Sequence, residues 1–161
     1  MGLRRWWNRL TGIPARMAMR FFARQVPTHE YDGIRLVVAD YWLEPSAERF
    51  FERTRDALAK VASGAPRIYP EFRKDVQQVV LWGQSDAPSY QRFQFAAVVP
   101  PRVALEADTL CYAAWLLYAS GSLHGDAESR ARSEEFLRSL APDERTRVAD
   151  WLASATERGP P

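Results

Sequence analysis

The chain has 161 residues, 47% of them hydrophobic and 26% charged, a size and balance that suit one globular domain and exclude a low-complexity or intrinsically disordered protein. Its net charge of +2 is unevenly split: the first twenty-nine residues hold six arginines and no acid, so +6 sits there and −4 on the remainder. A single cysteine, Cys111, excludes an internal disulfide, and no stretch reaches the roughly 18–20 uninterrupted apolar residues that cross a bilayer.

The first carboxylate is Glu30, and before it comes a basic arm. Leu3 to Leu10 reads as a short helix, Gly12 breaks it, and Pro14 starts a second that runs to about Gln25, since proline suits a first helical turn. On the first helix Leu3, Trp6, Trp7 and Leu10 share one side while Arg4, Arg5 and Arg9 share the other, because positions three and four apart lie on one face. Arg16, Met17, Arg20, Phe21 and Arg24 carry the same mixture into the second helix. Such a segment seeks an apolar surface beside a negative one. The expected occupants are a protein partner or an anionic membrane surface, with docking on its own body as the alternative and nucleic acid ranking behind them. The start fails the myristoylation pattern because position six is Trp6, and arginines recur too often for a secretory signal, so a cytoplasmic protein, peripheral at the inner membrane, is expected. Twenty of the 22 basic residues are arginine, a bias that suits a GC-rich bacterial genome.

Pro27 closes the arm, and from residue 33 to about 157 the sequence predicts one domain. Gly33 to Asp40 reads as a strand, and Ser46 can cap a helix through Ser63 with Phe50, Thr54, Ala57, Leu58 and Val61 at helical spacing and Gly64 as the stop. Arg67, Tyr69, Arg73 and Lys74 form a basic cluster with an interleaved aromatic, expected as a solvated turn or, less favoured, an anion or single-strand contact. Asp75 to Trp82 and Gln91 to Val99 read as two further strands paired in an antiparallel hairpin. Pro100 and Pro101 bar continuation, and Asp108 can cap a helix through Ser120 that is apolar nearly all round. Such a helix must be wrapped, so it should be the centre of the domain. Two polar helices follow, at about 126–140 and 142–156. The expected class is α+β, predominantly helical: a small antiparallel sheet on a buried central helix, with the amphipathic arm in front.

Chemistry-bearing motifs are sparse. His29 and Glu30 begin like HExxH, but position 33 is glycine, and the other histidine, His124, is ninety-five positions away. His124 could act as a general base, yet no serine or cysteine stands in a recognisable nucleophile position. Neither GxGxxG nor GxxxxGK[ST] occurs, so no cofactor and no small-molecule ligand is expected.

From Gly33 onward, the segments RTRDALAKVA, RIYPEFRKDVQQVVLW and ARSEEFLRSL, with the apolar helix before the last, resemble a family of small bacterial metallopeptidases carrying HExxH. That resemblance implies that the helix after the last strand would bear two zinc histidines and a glutamate base. Here the stretch is Leu116, Leu117, Tyr118, Ala119 and Ser120, which offers zinc nothing, and Glu134 would match an acidic third ligand. The expectation is therefore a non-catalytic interaction or scaffold protein with a degenerate zincin-like body, no metal site and no catalytic residues. The alternative is an enzyme whose site assembles from scattered residues such as His124, Glu134, Tyr69 and Arg73.

Overall fold

The computed structural model describes residues 27–83, 89–91, 95–122 and 124–157. The arm and its two expected helices lie outside the described residues. In chain order come β1 (Thr28–Tyr31), β2 (Ile34–Val38), a 3-10 segment (Tyr41–Ser46), α1 (Ala47–Gly64) and α2 (Tyr69–Asp75). Then follow β3 (Gln78–Leu81), β4 (Ser89–Gln91), β5 (Ala96–Val99), a π-helical turn (Arg102–Glu106), α3 (Thr109–Gly121), α4 (Asp126–Arg138) and α5 (Pro142–Glu157). The fold is α+β and predominantly helical.

Asp32 and Gly33 take φ of 49° and 77°, the positive pair that a type I′ turn needs, and they fold β1 back on β2 with Tyr31 opposite Ile34. This hairpin extends the body back to Thr28. The chain then leaves the sheet through α1 and α2 before returning as β3, so β2 and β3 run parallel, with Leu36 beside Val79 and Val38 beside Leu81.

The segment expected as a single strand from Gln91 to Val99 is instead two. Phe95 adopts φ 50°, a left-handed conformation that an extended strand cannot hold, and the chain reverses so that β4 and β5 pair antiparallel. With β4 interposed in sequence, β5 lies parallel to β3 rather than forming the expected antiparallel hairpin with it. The sheet is therefore mixed, in the order β1-β2-β3-β5-β4, with a parallel centre and antiparallel edges. The expected strand start at Asp75 is also corrected: that residue ends α2, and of the basic cluster expected as a turn Arg67 lies in a turn while Tyr69, Arg73 and Lys74 belong to this short helix, with Pro70 in its first turn.

One face of the sheet, from Ile34, Leu36, Val38, Val79, Leu81, Ala97 and Val99, joins the helices in the main core. At its centre is α3, where Cys111 through Leu117 are all buried, as its apolar circumference requires. The Asp108 side chain caps it by accepting from the Leu110 amide at 2.9 Å. Burying Phe50, Leu58 and Val61 of α1 contributes about 1.5–3 kcal/mol per side chain. Between α1 and α3 the buried hydroxyls of Thr54 and Tyr112 satisfy each other at 3.1 Å. Arg49 and Arg53 reach from α1 to the π-helical turn, donating to the carbonyls of Leu105, Ala104 and Ala107.

Close approach is built into two glycines. A Cβ on Gly121 would meet the Ser129 backbone at 2.4 Å, where α3 crosses α4, and one on Gly64 would meet the Phe136 ring at 2.6 Å. No helix among the described residues is long and apolar enough to cross a membrane.

Candidate functional site

Because α2 sits between the β1–β2 hairpin and the α3–α4 corner, its polar residues meet two separate carboxylate nodes. Tyr69 Oη donates to Asp32 Oδ2 at 2.7 Å, and Arg73 approaches Asp32 Oδ1 at 3.3 Å. Asp32 thus serves the turn and the helix together. Burial, and then the hydrogen bond to the Asp32 carboxylate, push the Tyr69 phenol well above its ordinary range.

The second node is Asp75, the last residue of α2. Its Oδ2 accepts from Arg132 at 2.6 Å and lies 3.0 Å from His124 Nε2. Arg132 also bonds Glu128 at 2.8 Å and Ser120 Oγ at 3.2 Å, and its side chain is 5% exposed. Burial works against the guanidinium charge, but the bonds to Glu128 and Asp75 outweigh it, and its pKa is raised. A carboxylate beside a half-exposed imidazole can orient a proton carrier. Here the same carboxylate also ties the end of α2 to α4 through Arg132. Ser120 is buried with its hydroxyl donating to the Leu117 carbonyl at 2.7 Å, and Arg132 donates to both Ser120 and Asp75.

The scattered residues considered as an enzyme site fall into three groups. Tyr69 and Arg73 share Asp32, His124 joins Asp75, and Glu134 lies exposed on α4 in an ion pair with Arg138 at 3.0 Å. Leu116, Leu117, Ala119 and Ser120 are buried in the core, with Tyr118 packed against it, where the metallopeptidase resemblance would put zinc ligands. His29 lies on β1 with its ring stacked on Phe51 at 5.6 Å. Among the described residues no three His, Cys, Asp or Glu side chains gather where they could hold a metal ion.

A cleft of about 310 Å³ opens where Gly64 meets Phe136, lined also by Lys60, Leu110, Ser139 and Glu144. It has one charge of each sign, Lys60 and Glu144, and the hydroxyls of its Ser63 and Ser139 donate to the carbonyls of Lys60 and Phe136. The twelve arm residues expected to contact a partner or membrane, Leu3, Arg4, Arg5, Trp6, Trp7, Arg9, Leu10, Arg16, Met17, Arg20, Phe21 and Arg24, all lie outside the described residues.

Asp32, Asp75 and Arg132 were not singled out in the sequence. The Asp-Gly dipeptide after Tyr31 was a usable hairpin signal for the first. Nothing local distinguishes Arg132 from the exposed arginines around it, because only the helix crossing buries it. The chain matches no model of a known protein family, no curated protein and no solved structure.

Proposed function

We propose that this is a non-catalytic interaction protein, in which a zincin-like body without the metal-binding motif carries a basic N-terminal arm that grips an anionic surface. The carrying observation is the charge division, +6 over the first twenty-nine residues against −4 over the rest, with two adjacent tryptophans on the arm. Support also comes from the body, whose best candidate chemical groups are engaged in ties between secondary-structure elements. The surface is the cytoplasmic face of the inner membrane or an acidic partner protein bound there. Each arginine close to an anionic bilayer contributes about 1 kcal/mol, so six suffice without a lipid anchor.

The test is cosedimentation of the full chain with phosphatidylglycerol vesicles and with neutral phosphatidylcholine vesicles, together with a pull-down from the native host. Retention on anionic vesicles or on an acidic protein, weakening as salt rises, is expected. Indifference to both, or turnover of a substrate that depends on His124, would overturn the reading.

A further inference from the structure

The second face of the sheet has a core of its own: Val37, Val80, Ala96 and Val98, with Trp82 packed against them. Strands with parallel neighbours are normally covered on both faces. The described helices join the core of the opposite face, and among the described hydrophobic residues Trp82 alone packs on this patch. Yet the four side chains are 6%, 3%, 0% and 2% exposed within a single chain. Four small apolar side chains so little exposed mark this face as one that is covered rather than left to solvent.

We propose that this face is the docking site of the chain's own residues 1–26, seated with their apolar side inward and their arginines outward. The arm ends in the right place: the Pro27 carbonyl accepts from the Val38 amide at 3.1 Å, which brings the chain in beside the residue next to Val37. Its length fits as well. A helix from Pro14 to Gln25 spans roughly 18 Å at 1.5 Å per residue, close to the roughly 19 Å across five strands. Met17 and Phe21, four apart, give it an apolar side, while Arg16, Arg20 and Arg24 repeat at the same spacing beside them.

The inference rests on the proposed function and deepens it: the arm meets its anionic surface through arginines displayed by the sheet, not through inserted tryptophans. Its test places the photoreactive p-benzoylphenylalanine at position 21 of the full chain, followed by irradiation, trypsin and mass spectrometry. Adducts of monomer mass in the peptides 36–49, 75–92 or 93–102 are expected. Adducts confined to helical-layer peptides, adducts only between two chains, or no adduct would each overturn the docking. Vesicle binding and capture of acidic host protein by the same protein, read separately, distinguish the two failures: sheet adducts with neither kind of binding remove the function, and binding without sheet adducts removes the docking.

Discussion

Arg132 is the most consequential charged side chain of the body, because three elements meet on it: Asp75 from the end of α2, Ser120 from α3 and Glu128 from its own helix. Removing one member of a buried pair leaves the other charge without compensation, which costs about 3–5 kcal/mol. Asp75 keeps 14% of its side-chain surface, so Arg132→Met should fall at the low end, and adding Asp75→Asn should restore part of the loss. Urea unfolding midpoints of the single and double variants check this. The neutral buried acids set a limit at high pH. Burial, then the nearby Asp108 charge, push the Cys111 thiol from 9.0 up to about 11, and burial raises the Tyr112 phenol too. A raised folded-state value means that the protonated form is favoured by folding. The Cys111 contribution is thus full below pH 9 and lost as pH climbs through 9 to 11, while that of Tyr112 is full up to the ordinary phenol value of 10.0 and is lost only at higher pH. Thermal midpoints should hold steady from pH 7 to 9 and fall beyond, and Cys111 should resist alkylation at pH 8 until the protein unfolds.

Two elements depend on glycine for different reasons. Gly121→Ala drives a methyl into the Ser129 backbone, so α3 and α4 must separate, at a cost of about 1–3 kcal/mol in a packed core. Gly33→Ala meets a left-handed backbone at φ 77° and should cost about 1–2 kcal/mol, loosening the Asp32 bonds to Tyr69 and Arg73. Chemical denaturation gives the totals, and hydrogen exchange locates the second effect in β1 and β2. The helices were legible because their signals are local: the spacing of Phe50, Leu58 and Val61, the Asp108 cap and the apolar circumference of α3 all stand as expected. The sheet was less so. A strand pattern does not record partner or direction, and the reversal at Phe95 rests on one non-glycine residue in a conformation that glycine usually supplies. The Asp75 node was illegible for a similar reason, since its members come from positions 75, 120, 124, 128 and 132 and become neighbours only when α3 crosses α4.

At the scale of the whole molecule, the described helices layer one face of the sheet, and charge is separated along the chain. Helices and ion pairs of the body are engaged in holding it together, so the function proposed for this chain is concentrated in its leading basic segment. With about 1 kcal/mol per arginine, Arg16→Gln and Arg20→Gln together should weaken attachment to anionic vesicles roughly thirty-fold. The apolar positions of the arm should matter for stability instead, if residues 1–26 cover Val37 and Val80 as proposed. The most direct measurement compares the intact chain with a full-length variant in which Arg4, Arg5, Arg9, Arg16, Arg20 and Arg24 are all glutamine, by cosedimentation on phosphatidylglycerol vesicles at fixed salt. The intact protein should pellet with the vesicles and the variant should remain in solution with its unfolding midpoint unchanged; equal pelleting of both, or of neither when the intact chain also retains no acidic host protein, would contradict an adhesive basic arm.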